Sequence, residues 1–247
     1  MRQLYHPLPA DPAQPFAVAS VVRHRLERVL RLPQGARLVV ADGSGWRLPV
    51  RWHFDHFEPD GPLRSCRERP WVELGIGLVK GDRWEWLVEK CVEAGVDRLV
   101  PLQLDHCVVR VDPARAGDKV QRWQAVAIEA FEQCGRDRLP QILPPAKLET
   151  WLDSLGDVTL CACDETDPPT SLLQLVQDRH PARLALLVGP EGGLAAAEQA
   201  RARTAGAVAV TLGPHVLRAE TAAMIAVAIA RAAFHDGFAI DPPNPLG

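Results

Sequence analysis

The residues best placed to do chemistry fall in three stretches that each overlap the end of an apolar run: Cys161–Glu165 (CACDE), Leu187–Leu194 (LVGPEGGL) and Leu212–Thr221 (LGPHVLRAET). In the second, Gly189, Gly192 and Gly193 let the backbone take unusual dihedrals and approach a ligand closely. The spacing matches neither the dinucleotide fingerprint GxGxxG nor the phosphate loop GxxxxGK[ST]. Glu191 is also a poor companion for phosphate, so a neutral or cationic ligand suits this loop better. The third stretch repeats Gly-Pro and then brings Arg218, Glu220 and Thr221 to the start of a helical pattern. A helix N-terminus favours Glu220 and disfavours Arg218, which points Arg218 toward an external partner. A fourth group, Glu129–Arg136 (EAFEQCGR), closes a long helical pattern. Glu129, Glu132 and Gln133 share a face there, and Glu132 and Arg136 are spaced as an i,i+4 ion pair unless Gly135 ends the helix first.

These groups need elements to position them. Residues 15–32 read as a helix, with Val18, Val22, Leu26, Val29 and Leu30 at helical spacing and Arg25, Arg28 and Arg31 on another face. Leu38–Val40 is a short strand and 42–45 a turn by composition. Trp46, Leu48, Val50, Trp52 and Phe54 alternate with Arg47, Pro49, Arg51 and His53, a half-buried strand whose proline argues for a sheet edge. Residues 58–62 read as a loop, and residues 1–70 as a small β-rich module.

From residue 71 the rhythm changes. Strands are expected at 72–79, 97–102, 158–163, 183–188 and 207–212, and helices at 82–94, 113–135, 170–178, 195–205 and 219–236. Gly95 and Gly206 stand where helices close. Unbroken apolar strands alternating with helices predict an α/β domain over 71–247 with a parallel sheet covered on both faces. Ligands of such sheets bind beyond the carboxyl ends of the strands, where the three loops lie. The alanine-rich last helix suits close packing against a neighbour, a second subunit included, and the tail from Asp241 reads as loose.

Composition narrows the classes. The 247 residues are 47% hydrophobic, which fits a globular chain and excludes a disordered one. No apolar run approaches the roughly 20 residues of a membrane span, and the first residues lack the apolar core of a signal peptide. A cytoplasmic protein is the expectation. Six cysteines without a CxxC pair predict core or surface thiols, Cys161 and Cys163 on one strand face, and no metal site. The net charge of −3 hides a segregation: through residue 72 there are 11 Arg and no Lys against 7 acidic residues. Guanidinium forks bind phosphate oxygens in pairs, so this module suits phosphate contact.

Taken together, the segments at 24–31 (HRLERVLR), 80–83 (KGDR), 89–96 (EKCVEAGV), 128–136 (IEAFEQCGR), 187–194 and 212–221 resemble the bacterial family of 16S ribosomal RNA uridine-N3 methyltransferases, of the SPOUT superfamily. They occur in family order across nearly the whole chain. The resemblance implies an N-terminal PUA-like β-barrel over 1–70 and a SPOUT methyltransferase domain over 71–247 with a C-terminal trefoil knot. It implies S-adenosylmethionine held by Leu187, Gly189, Pro190, Glu191, Gly192, Gly193, Leu212, Gly213, Val216, Leu217 and Thr221. It further implies a homodimer that acts on the small ribosomal subunit at N3 of one uridine, with Arg25, Arg28, Arg31, Arg47 and Arg51 of the basic first module meeting RNA phosphates. Two positions depart from the family: Ala195 replaces a capping Ser or Thr, and His106 stands where Arg is common, which weakens an RNA contact there.

Uridine N3 carries a proton that must leave before the nitrogen attacks a methyl sulfonium. The site therefore needs a proton acceptor, Glu220 or Glu132, and a cation for the developing uracil oxyanion, Arg218 or Arg136. Two rivals share the loops: a SPOUT methyltransferase acting on another RNA, and a catalytically silent RNA-binding assembly factor. A nicotinamide dehydrogenase lacks its fingerprint here.

Overall fold

A computed structural model of the chain describes residues 1–65, 70–163 and 170–234. Asp164 and Glu165 of the first chemical stretch, Cys66, and the end of the last expected helix with the tail beyond it lie outside the described residues. The described chain divides into two compact units, 1–65 with 131–139, and 70–130 with 140–234. The first unit thus takes in the EQCGR segment, which a simple break near residue 70 does not anticipate.

The first unit carries β1 (Arg2–Tyr5), β2 (Phe16–Ala17), α1 (Ser20–His24), β3 (Arg37–Ala41), β4 (Trp46–His53), β5 (His56–Pro59) and β6 (Arg64–Ser65). They form one sheet in the order β1-β3-β4-β5-β2, with β6 also beside β4. β1 runs parallel to β3 and the other pairs are antiparallel. Its core is Leu4, Leu26, Leu38, Val40, Leu48, Val50, Trp52 and Phe57.

Three expectations are corrected in this unit. The helix of 15–32 is shorter, because Phe16–Ala17 pairs with β5; α1 then passes into a π-helical turn over Arg25–Val29. The wider turn buries Leu26 and leaves Val29 exposed, off the apolar face that a 3.6-residue period assigns it. Glu58 and Pro59 belong to β5, not to a loop. Pro49 lies in an interior strand, facing Val39 of β3. It is tolerated because its carbonyl points to the other side, accepting from Asp60 N at 2.8 Å, where β5 has ended and β6 has not begun. The missing N–H falls in that gap, so no ladder bond is lost. The alternation in β4 holds at Leu48, Val50 and Trp52, whereas Trp46 and Phe54 at its ends are exposed.

The second unit is built on seven parallel strands: β7 (Trp71–Gly77), β8 (Arg98–Leu102), β9 (Gln141–Ile142), β10 (Thr159–Cys163), β11 (Thr170–Ser171), β12 (Arg183–Val188) and β13 (Val208–Thr211). The order is β11-β13-β10-β12-β7-β8-β9. The helices are α2 (Asp82–Ala94), α3 (Ala116–Cys134, after a 3-10 turn at Pro113–Arg115, its last residues from Phe131 counted with the first unit), α4 (Leu148–Ser154), α5 (Leu172–Arg179), α6 (Ala196–Thr204) and α7 (Ala219–Ala233). Gly95 closes α2 in the left-handed region, φ 105°, a conformation open to glycine without strain.

The amino-terminal edge of the central strands is fastened by buried charge. Asp97 accepts from Val72 N and pairs with Arg231 of α7, whose Nε donates to Gly95 O at 2.8 Å and Nη1 to Pro70 O at 2.6 Å. Five of the eight alanines of α7 (Ala219, Ala223, Ala226, Ala230 and Ala233) are buried within the chain, where the helix packs on α2 and β7, while Ala222 is half-buried and Ala228 and Ala232 are exposed. α4 has no counterpart among the helices expected from periodicity; its Trp151 donates to Glu73 at 2.8 Å and sits where a Cβ on Gly75 would come within 2.7 Å. Among the described residues, no helix is long and apolar enough to cross a membrane.

Candidate functional site

The sheet order fixes where the chemistry collects. β13 and β12 flank β10, so the loops that leave their carboxyl ends face each other across the end of β10. Between them lies a cavity of about 550 Å³, floored by Ala162, Cys163 and Val188. That volume sits within the range of small-molecule sites. Of the residues expected to hold a cofactor, Gly189, Pro190, Glu191, Gly192, Gly193, Leu212, Gly213, Val216 and Leu217 line it. The other two stand aside. Leu187 is wholly buried within β12 and Val188 takes its place in the lining, while Thr221 is half-buried in the first turn of α7, with Ala219 and Ala222 facing the cavity instead.

The first loop is a tight turn, Gly193 N donating to Pro190 O at 2.8 Å. A Cβ on Gly189 would come within 3.0 Å of the Gly193 carbonyl carbon and the Leu194 nitrogen, so the loop closes on itself only without a side chain there. β7 makes room for it as well: a Cβ on Gly77 would lie 2.7 Å from Pro190 N. The second loop is shaped by Thr211, whose hydroxyl donates to Gly213 O at 2.9 Å and accepts from Gly213 N at 3.1 Å. The lining combines backbone and aliphatic carbon from the two loops with polar residues such as Gln199 and Thr211, a surface that suits a flat ring held by a few directional hydrogen bonds.

Charge enters through Glu191 of the first loop, Arg203 of α6 and Arg218. Arg218 lines the cavity, exposed, as the residue before α7, with no capping bond from its side chain. Glu220 is buried at 6% exposure, and its Oε2 has no hydrogen-bond partner among the described residues. Its Oε1 lies 3.6 Å from Arg83 Nη1, which also pairs with Glu191 Oε1 at 3.0 Å. Arg83, in the first turn of α2, thus ties the first loop to the start of α7. Lys80–Arg83 carries part of the family resemblance, but spacing alone assigns Arg83 no task; its place just past the carboxyl end of β7 is the signal that points to one.

Cys163, at the cavity floor, is held as a neutral thiol: burial pushes its ionisation well above the ordinary range, with the neighbouring Cys161 adding to the shift. Burial likewise pushes Cys161 up to about 12. The five described cysteines are all free thiols.

The other pair of candidates sits in the first unit, engaged differently. Glu132 Oε2 pairs with Arg25 Nη2 at 2.6 Å, and its Oε1 accepts from Tyr5 N at 2.9 Å. The i,i+4 partnership with Arg136 gives way to these bonds because α3 ends at Cys134 and Gly135 turns the chain at φ 70°. Arg136 is half-buried, and its carbonyl accepts from Gln3 Nε2 at 2.9 Å. Of the basic residues expected to meet RNA, Arg47 pairs with Asp137 at 2.9 Å and Arg51 with Asp60 at 3.2 Å, while Arg28 and Arg31 are exposed.

Comparison with known proteins places these features in company. Residues 67–231 match the model of a family described as an RNA methyltransferase domain. The chain is 28% identical to the ribosomal RNA small subunit methyltransferase E of Bacillus subtilis, over 88% of this chain and 90% of that protein. It is 36% identical to the protein of that name from Mycobacterium bovis, over 81% and 79%. A crystal structure of the Neisseria gonorrhoeae ribosomal RNA small subunit methyltransferase E, bound to S-adenosyl methionine, superposes with a TM-score of 0.84 at 29% identity, covering 95% of this chain and 98% of that one.

Proposed function

This chain belongs to the RNA methyltransferase family that includes ribosomal RNA small subunit methyltransferase E, and from that premise we propose that it methylates N3 of one uridine in 16S ribosomal RNA of the small subunit, using S-adenosylmethionine. The observation that carries the proposal is the cavity between the two Gly-Pro loops, with Arg218 in its lining and, two residues on and outside that lining, a buried, half-unpartnered Glu220.

The residues present fit the cofactor. The cavity has the right size, its glycine-rich walls bring backbone donors and acceptors close to an adenosine, and Glu191 at the rim suits a cationic ligand. Leu212 and Leu217 offer an apolar slot for the adenine, and the backbone of Gly189 and Gly192 offers groups to its polar edges. When bound, S-adenosylmethionine supplies a methyl group activated by a sulfonium.

The chain's own groups do the rest. Glu220 Oε2 accepts the N3 proton, either directly or through one water, because it is the buried carboxylate oxygen here whose hydrogen-bonding capacity is unspent among the described residues. Arg83 orients that carboxylate through its other oxygen. Arg218, exposed at the rim, meets the uracil oxygens as negative charge builds on them. A uridine reaches such a rim only when unstacked and unpaired. Arg28 and Arg31, with Arg25, Arg47 and Arg51 as partly neutralised neighbours, bind the phosphates.

Three further parts of the proposal rest on the family. The first unit acts as a PUA-like RNA module, in keeping with its mixed sheet and arginines. The second carries a SPOUT trefoil knot, in keeping with its two loops sharing one cavity and α7 returning over β7 and β12. The enzyme works in the cytoplasm as a homodimer, for which the half-buried Met224, Ile225 and Ile229 of α7 supply apolar surface.

The test is methyl transfer from labelled S-adenosylmethionine to small subunits that lack their own modification, followed by nuclease digestion and mass analysis of nucleosides. N3-methyluridine at one position is the expected product. Transfer to transfer RNA alone would assign the fold to another substrate, and cofactor binding without transfer to any RNA would favour a silent binding factor.

A further inference from the structure

The turn that follows β8 grips the first loop from outside the cavity lining. His106 Nδ1 lies 2.9 Å from Gly192 O and 3.1 Å from Gly193 O. Carbonyl oxygens only accept, so Nδ1 carries the proton and donates to both. The contact is steric as well as polar: a Cβ on Gly192 would come within 3.0 Å of His106 Cβ. One residue earlier, Asp105 N donates to Glu198 Oε1 at 2.8 Å, while Glu198 Oε2 accepts from Ala195 N at 2.8 Å. A single carboxylate therefore joins the 105–106 turn to the start of α6, and a single imidazole joins it to the loop just before that helix. Ala195 has no hydroxyl with which to cap α6, so these bonds supply fastening that a Ser or Thr side chain there would otherwise share. The ion pair Arg83–Glu191 also holds this loop; it is half-exposed, and the bonds of the exposed His106 are likewise reached by water.

We propose that His106 is a positioning residue of the cofactor loop: by donating Nδ1–H to Gly192 O and Gly193 O it holds 189–194 in the conformation that accepts S-adenosylmethionine. The proposal rests on the assignment of that loop to the cofactor. It differs from the RNA contact expected at this position, because the ring edge that bears the donor is turned to the loop. It acts through the loop rather than on the reacting atoms, so His106 sets cofactor affinity and leaves affinity for the small subunit unchanged.

Full-length protein carrying His106→Ala, His106→Asn or His106→Gln tests this by calorimetry with S-adenosylmethionine, by KM for cofactor and for small subunits, and by hydrogen exchange over 189–195. Loss of the bond in His106→Ala is expected to raise the cofactor Kd about tenfold and to speed exchange of the Gly193 amide, with KM for subunits unchanged. His106→Asn, whose Nδ2 stands where Nδ1 does, is expected to recover affinity to within about threefold, and His106→Gln, with its donor one carbon farther out, to resemble the alanine variant. In the wild type, nitrogen NMR is expected to show the Nδ1–H tautomer.

An alanine variant with wild-type cofactor affinity and exchange would overturn the proposal, as would a defect confined to KM for subunits, which would return His106 to RNA. Should the alanine variant fail to fold, wild-type affinity in His106→Gln would overturn it equally. Wild-type protein that bound no cofactor would sink the functional assignment itself, and exchange would then decide whether the brace on the loop stands without it.

Discussion

Glu132 and Glu220 are nearly equally buried, at 8% and 6% exposure, and each stands beside an arginine. Glu132 has both oxygens occupied, one by Arg25 at 2.6 Å and one by the Tyr5 amide. Glu220 has Arg83 at 3.6 Å on one oxygen and no partner for the other among the described residues. A buried carboxylate whose capacity is spent fastens structure. One whose capacity is unspent carries a desolvation cost that packing does not return, and such a cost persists where a ligand or a proton is to be received. The difference separates a residue that ties the EQCGR segment to β1 and the π-turn from a residue with unspent capacity in the first turn of α7, next in the chain to Arg218 and Ala219 of the cavity lining.

The sharpest way to break this comparison is to make both glutamates glutamine. Glu220→Gln should lower kcat for methyl transfer by about 10²–10⁴-fold while cofactor Kd stays within about threefold. Glu132→Gln should leave kcat of the folded enzyme near wild type and instead cost about 1 kcal/mol of stability, a modest figure because Arg25 is partly in water. Reversed results in stopped-time assays and thermal melts would exchange the two roles. Next in size, Arg218→Ala should lower kcat about 10²–10³-fold with an unchanged melting temperature, the signature of a cation that acts on developing charge. Had Arg218 only a structural task, the melt would move and the rate per folded molecule would not.

A smaller effect sharpens the contrast between occupied and available charge among the arginines. Replacing Arg28 and Arg31 together by Gln should reduce the slope of log affinity against log salt by about 1.4–1.8 for RNA, from the phosphate contacts removed. Replacing Arg47 or Arg51, already paired with Asp137 and Asp60, should change it by much less. A filter-binding titration at several salt concentrations reads both.

The smallest effect concerns Asp60. Burial works to raise its carboxyl, but the hydrogen bond and charge of Arg37, with Arg51 behind, outweigh it and hold the group below the usual carboxylate range. Its contribution is therefore complete above the unfolded-state pKa near 4 and is lost as pH falls through the lower folded value. Asp60→Asn should narrow the gap between melting temperatures at pH 6 and pH 3, and an unchanged gap would remove Asp60 from the acid response.

The second unit is the more legible region. Its strands announce themselves as largely apolar runs, since a parallel sheet buried on both faces demands that pattern, and β8, β10, β12 and β13 fall within a residue or two of expectation. The chemical loops are legible for the same reason: strand ends are where such sheets expose backbone. α4 escapes because its seven residues are too short for a period to show, although Trp151 is almost wholly buried. In the first unit, β1 is only four residues long and owes its place to β3, more than thirty residues onward. The Arg25–Glu132 pair and the Arg83 bridge are illegible in principle, because local spacing carries no information about partners a hundred residues apart.

The register of the central strand has a consequence for how the protein is made. β7 pairs with β12 through Trp71↔Arg183 to Ile76↔Val188, so its inner neighbour is encoded roughly 110 residues downstream. At about 5–20 residues per second on the ribosome, β7 leaves the exit tunnel some 6–20 s before the strand that completes it. During that interval the edge of β7 that β12 completes has no strand beside it, while β8 covers the other edge. The nascent chain thus passes through a window of exposed strand edge, the kind of surface that a holding chaperone covers.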